Sequence, residues 1–200
     1  MRRIRFGENG FGLAKAWEYE IFGRENGYTA AADDAAGEML HYRRWERSSE
    51  FHLGFVGERP EPVAVLRALR CDTALGHNSF STLADVGHAM FPEWSRRFDR
   101  IAPDTVAELA TQAVRRSHRG RGAIEQVWSR FVGQLTEEGV RYLTVALVVP
   151  LFDWYRQVFG AAVTAIGPIL PDYVGADSIP AVIDLNPLIS RIGPTVKATQ

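Results

Sequence analysis

Cysteine is almost absent from the chain. Its single representative, Cys71, has no partner for an internal disulfide or a zinc knuckle, which removes both a stapled secreted framework and a structural zinc of that kind. A reducing, cytoplasmic setting is the expectation that follows. No run approaches the roughly eighteen apolar residues of a membrane span, and Met1, Arg2, Arg3 and Ile4 lead into glycines and charges with no apolar signal core. An excess of one charge is missing too. The 23 basic residues face 24 acidic ones for a formal net charge of −1, so a polyanion-binding surface and a nucleic-acid partner are not expected. Lysine is scarce: only Lys15 and Lys197 accompany the arginines. His41, His52, His77, His88 and His118 lack the i, i+4 pairing or carboxylate spacing of a metal site, and no metal is expected. Dinucleotide and triphosphate fingerprints are absent, as is the Gly-x-Ser-x-Gly elbow of a hydrolase.

What is present suits one generous domain. The 200 residues are 46% hydrophobic, with no internal repeat, low-complexity tract or charge block to divide them. Residues 1–200 are therefore read as one unit, with an N-terminal helix and first strands over 1–70 and a core over 104–170. Leu13, Trp17 and Ile21 recur at helical spacing and predict a helix over 13–22. Residues 51–58 and 63–70 read as a loosely connected strand pair, split by Pro60 and Pro62. From 72 to 103 the pattern blurs, and loop with short helix is expected near Met90, Phe91 and Trp94. Residues 105–114 predict a strand and 115–122 a basic glycine turn. A helix follows on Ile124, Val127, Trp128, Phe131, Val132 and Leu135, and Gly139 closes it. A buried strand at 140–149, a short helix opened by Pro150, and strands at 161–170 and 179–185 complete an α/β order with a mixed sheet covered by helices.

The strand, glycine turn and helix at 105–138 carry the chemistry. Gly120 and Gly122 bring no side chains, so backbone N–H groups can face a ligand, and the open amides of a helix start attract negative charge. Arg115, Arg116, Arg119, Arg121 and Arg130 against Glu125 concentrate a charge of +4 in a nearly neutral protein. The pattern favours a phosphate.

The run Arg119, Gly120, Arg121 and Gly122 resembles motif A of the GCN5-related N-acetyltransferase (GNAT) superfamily, where a strand ends in an Arg-Gly-x-Gly loop that opens a helix. That resemblance implies a mixed, largely antiparallel twisted sheet with helices on both faces. It also implies an acyl-phosphopantetheine thioester, as coenzyme A or acyl carrier protein, held by Ala113, Val114, Arg115, Arg119, Gly120, Arg121, Gly122 and Ala123. The family usually has a small residue where this chain has Ile124. Val145–Pro150 leading into Trp154, Tyr155, Phe159 and Gly160 is similar to motif B, with the Gly and Phe order reversed. Tyr155 matches the family's frequent general acid, and Glu108 matches a base acting through water. Within the superfamily the chain looks most like the autoinducer-synthase branch, which includes acyl-homoserine-lactone synthases and long-chain N-acyl amino acid synthases. Phe22, Glu25 and Tyr28, Arg67, and Glu108-Leu109 carry that likeness. Lactone synthases have Arg at the positions of Glu18 and Thr111, so an amine other than S-adenosylmethionine is expected as acceptor.

The resemblance thus implies an acyltransferase that moves groups other than aminoacyl groups onto the amine of an amino acid or related metabolite. Acyl carrier protein would dock on the Arg115–Arg121 patch, and Phe22, Tyr28 and Arg67 would meet the acceptor. Lactone synthesis, ordinary acetyl transfer and non-catalytic carrier binding stay open. So do plainer readings of single residues: a solvated basic loop, Glu108 facing solvent, Tyr155 as helix packing, and Arg67 either anchoring a carboxylate or pairing with a nearby acid.

Overall fold

Apolar β-formers dominate the middle of the chain, and they assemble into one sheet. A computed structural model describes residues 1–58 and 60–187. In chain order these contain β1 (Arg2–Arg5), α1 (Phe11–Glu18), α2 (Ala31–Ala36), β2 (Ser49–Gly54), β3 (Ala64–Arg70), α3 (Ser81–Val86), α4 (Pro92–Phe98), β4 (Val106–Val114), α5 (Ala123–Glu137), β5 (Tyr142–Val148), α6 (Val149–Phe159), β6 (Val163–Ala165), β7 (Leu170–Tyr173) and β8 (Ala176–Asp184). The strand order is β1-β2-β3-β4-β5-β8-β6, with β7 also on β8. Every pairing is antiparallel except β4 with β5. The architecture is the mixed, largely antiparallel α/β sheet that the sequence predicts.

Local differences have local causes. The first helix starts at Phe11, and past Glu18 it widens into a π-helical segment, Tyr19–Arg24. β2 ends early because Gly54 passes close to α5, where an added Cβ would lie 2.7 Å from a Val127 methyl. β1 went unpredicted: its arginines hide a strand whose one buried side chain is Ile4. The expected strand at 161–170 is broken by Gly167 and Pro168 into β6 and β7. The blurred stretch 72–103 holds α3 and α4.

α5 and α6 cover one face with Val127, Phe131, Val132, Leu135, Phe152 and Tyr155. On the other face α1 packs through Phe11 and Ala14 against Ile4, Phe51, Leu53 and Val65, while Tyr42, Trp45, Phe80, Trp94 and Phe98 form a second cluster. Each fully buried Leu or Phe contributes roughly 1.5–3 kcal/mol, so these layers fix the sheet's curvature and position.

A one-residue bulge interrupts β4. Arg67 pairs with Thr111 and Ala68 with Leu109, leaving Ala110 as the extra residue. Side chains on either side of it change phase. Glu108 and Thr111 both face the α1 and α3 side, where Glu108 meets Ser81 and Thr82 and Thr111 donates to Glu18 at 2.6 Å. Leu109 and Gln112 face α5 and α6.

The Thr111–Glu18 contact belongs to a buried ionic knot. Arg67 is 1% exposed, its Nη2 lies 2.8 Å from Glu18 Oε2, and its guanidinium sits against the Tyr42 and Phe51 rings at 4.9 and 4.7 Å. The nitrogens and Oε2 are out of hydrogen-bond alignment, so charge and ring contacts hold the group. Removing one partner from such a pair leaves a bare buried charge. Arg67→Ala should cost about 3–5 kcal/mol in a denaturant titration, and the Arg67→Met, Glu18→Gln double variant should lose clearly less.

Candidate active site

The parallel pairing of β4 and β5 covers only Val106–Leu109 against Tyr142–Val145. Beyond it β4 continues to Val114 beside β3 and β5 to Val148 beside β8, so the two strands part and a cleft opens. The parting begins after Leu109 and Val145. Leu109, Ala110, Thr111 and Gln112 form one wall and Val145, Ala146, Leu147 and Val148 the other, with Leu151 behind. Phe22, Tyr28, Tyr42 and Tyr173 close the cavity, which measures about 80 Å³. Phe22 and Tyr28 stack at 4.8 Å, and the Tyr28 backbone lies against Gly175 of the β7–β8 turn, so closely that an added Cβ would sit 3.3 Å from it.

Past the cleft, β4 runs into the basic turn. Gly120 and Gly122 adopt φ of 68° and 74°, a region side chains disfavour, and Gly122 stands immediately before α5. Among the described residues the amides of Gly120, Arg121, Gly122, Ala123, Ile124 and Glu125 have no protein acceptor. The start of a fifteen-residue helix thus presents open N–H groups and the positive end of its dipole. Earlier amides of the turn are engaged: Arg115 N donates to Val63 O at 2.8 Å and Arg116 N to Glu25 Oε2 at 2.9 Å.

The arginines divide into two sets. Arg115 turns inward to Glu25 at 2.8 Å, to Glu61 at 3.4 Å and to the Pro62 carbonyl, while Arg119 donates to Asn26. Arg116, Arg121 and Arg130 are exposed, and Arg121 and Arg130 line a neighbouring groove of about 590 Å³ with His118 and Phe55. The patch open to a partner is therefore smaller than its arginine count suggests.

Tyr155 is 4% exposed, and its hydroxyl accepts from Gln112 Nε2 at 2.8 Å, which leaves its own proton free. Burial pushes the phenol up to about 12. Glu108 is 1% exposed and stands behind the cleft wall, accepting from the Ser81 hydroxyl and from Thr82 N at 3.0 Å. Burial raises its carboxyl to about 7, against the pull of those donors. Ala113 packs in the α1 core and Val114 against the α5–α6 core. Phe22, Tyr28 and Gln112 meet at the cleft, whereas Arg67 lies outside it, bound to Glu18. Sequence reasoning passed over Gln112, Ser81 and Tyr173, whose contacts span 27 to 92 residues and leave no local pattern.

A carboxyl raised on folding holds its proton more tightly in the native state, so its stabilising share is complete below the unfolded value and fades as pH climbs through about 7. At pH 8 the ionised Glu108 should cost about 3 kcal/mol. Glu108→Gln, which keeps the neutral form, should therefore be more stable than the native protein at pH 8, with the gap closing toward pH 5 in parallel denaturation curves.

No protein-family model matches the chain, and no curated protein sequence matches it. Solved structures do. The CoA-dependent acyl-homoserine lactone synthase BjaI, with MTA, shares 18% identity at a TM-score of 0.60, over 99% of this chain and 91% of that one. TofI, in a ternary complex with an inhibitor and MTA, shares 15% at 0.57, over 92% of each chain. Tetrahymena GCN5 shares 11% at 0.54, over 94% of this chain and 99% of that one. The parted strands, the glycine turn and these likenesses agree that the chain has the GCN5-related N-acetyltransferase fold.

Proposed function

We propose that the protein transfers an acyl group from an acyl-CoA thioester to the amine of an amino acid or a related metabolite. The observation that carries this reading is that β4, whose parting from β5 opens the cleft, runs on into a turn whose amides at 120–125 have no acceptor among the described residues. A diphosphate suits those amides and the exposed Arg121, and the pantetheine arm suits the cleft wall that ends at Gln112. The thioester then falls between Ala110 and Val145. The β4 edge there has lost its strand partner and can offer backbone N–H groups to a developing oxyanion.

Attack by the neutral amine forms the C–N bond and expels the thiolate as the C–S bond breaks. Tyr155, which stands behind Gln112 and outside the cavity lining, stays protonated through the neutral range, and its O–H is assigned the protonation of the leaving sulfur. A thiolate formed in the same poorly solvated cleft is itself destabilised and accepts that proton more readily. The proton lost by the amine ends on Glu108, which stands behind the cleft wall. The likeness to BjaI and TofI also raises lactone synthesis, but Glu18, Thr111 and Arg67 occupy one another and leave no free guanidinium at that wall. Acyl-CoA is favoured over acyl carrier protein because Arg115 is engaged within the protein, which takes it out of the patch a carrier would dock on.

The test is thiol release from acetyl- to dodecanoyl-CoA, and from the matching acyl carrier protein thioesters, with and without the proteinogenic amino acids, products being read by mass spectrometry. Amine-dependent release from CoA thioesters is expected, falling about 10²-fold in Tyr155→Phe and lost in Gly122→Trp, whose side chain would fill the turn. Release of methylthioadenosine from S-adenosylmethionine would favour lactone synthesis instead, and thioesters that bind without reacting would leave a carrier-binding domain.

A further inference from the structure

Glu108 does not reach the cavity, although a carboxylate that collects a proton from an amine must communicate with it. Among the described residues a chain of hydroxyls connects the two. The Ser81 hydroxyl donates to Glu108 Oε1, and the Tyr173 hydroxyl, which lines the cleft, lies 3.4 Å from Ser81 Oγ as donor. The Ser81 O–H points toward the carboxylate, while the one Tyr173 proton can turn either to Ser81 Oγ at 3.4 Å, which completes the path, or to Asp85 Oδ2 at 3.1 Å. Tyr173 also has an outward branch: its hydroxyl lies 3.1 Å from Asp85 Oδ2 and 3.3 Å from His41 Nε2, and those two groups are 3.3 Å apart near the surface.

The backbone around Tyr173 is unusual. Asp172 and Val174, on either side, have φ of 50° and 51°, a left-handed conformation that is an outlier for a β-branched residue such as Val174. Such conformations persist where the surroundings over-determine them, and they cluster at functional positions. Here they aim one phenol at a junction of three polar groups.

We infer that Tyr173 is the residue that receives the acceptor's proton, passing its own through Ser81 to Glu108 and clearing the charge afterwards through His41 and Asp85. The step rests on the acyl-transfer reading and balances as a relay. The amine N–H bond breaks as a Tyr173 O–H forms, the former Tyr173 proton moves to Ser81, and the former Ser81 proton forms the O–H of Glu108. Neither hydroxyl gains net charge. On return, Glu108 gives the proton back through Ser81 and Tyr173 to the Asp85–His41 pair, and solvent removes it. The charged and titratable groups around Tyr173 are Glu108 from β4, Asp85 from α3, His41 and the Tyr42 phenol from the segment before β2, and Arg44, which pairs with Asp85 at 3.0 Å.

Two measurements test the relay. The first needs no substrate: infrared absorbance of the protonated Glu108 carboxyl, assigned by its loss in Glu108→Gln, is followed against pH. Ser81→Ala removes a donor to the carboxylate and should move the midpoint to higher pH, and Tyr173→Phe, which weakens Ser81 as a donor, should move it the same way by less. The second is the pH–rate profile of amine-dependent thiol release from acyl-CoA. Tyr173→Phe and Ser81→Ala should each lower kcat about 10²-fold, leave the donor KM in place and shift the acid limb to higher pH. A Tyr173→Phe protein whose carboxyl midpoint and acid limb both coincide with the native ones overturns the relay while leaving acyl transfer standing. Native protein that releases no thiol with any amine overturns acyl transfer, and the relay as a catalytic path with it, whatever the infrared titration shows of the hydrogen-bonded chain.

Discussion

Two parallel strands stop pairing after four residue pairs, and the rest of the site depends on that parting. A sheet that stayed zipped to its end would satisfy its own backbone and leave only a rim for a ligand. Because β5 is held on its other side by β8 and β4 by β3, the separation is anchored at both margins and costs only the ladder bonds beyond Leu109. The cleft is consequently a property of the sheet's topology more than of any side chain. What the side chains decide is its chemistry: aliphatic walls, an aromatic cover, and a turn of open amides at one end.

The bulge at Ala110 distributes that chemistry. In a regular strand Glu108 and Thr111 would face opposite ways. With one extra residue they share a face, so a single strand supplies Glu108 to the α3 side, Thr111 to Glu18 and Gln112 to Tyr155 on the other side. A buried carboxyl and a buried phenol therefore stand on opposite sides of one strand, separated by its thickness. That arrangement suits a reaction in which one proton leaves the nucleophile while another reaches the leaving group.

Legibility in the sequence followed the range of the interaction. The strand, Arg-Gly-Arg-Gly turn and amphipathic helix are encoded within about thirty consecutive residues, and their order and limits could be read directly, as could β5 and α6 around Pro150. Composition could not reveal β1, whose burial rests on Ile4 alone, nor the π-helical continuation of α1. The two alternatives left open for Arg67 could not be separated either, because Glu18 is remote in the chain and becomes its neighbour only when α1 settles on the sheet. The same holds for Glu108. A lone acid in an apolar run has no readable facing until the bulge and α3 are known, and its partners Ser81 and Tyr173 lie in stretches whose local patterns are weak.

Glu25 ties the two halves of the site together. Its carboxylate holds the Arg115 side chain and the Arg116 amide of the basic turn, and it lies on the same short segment as Phe22 and Tyr28, which cover the cavity. The basic turn and the aromatic cover of the cavity therefore rest on one short stretch of the first thirty residues, and a change within that stretch reaches both.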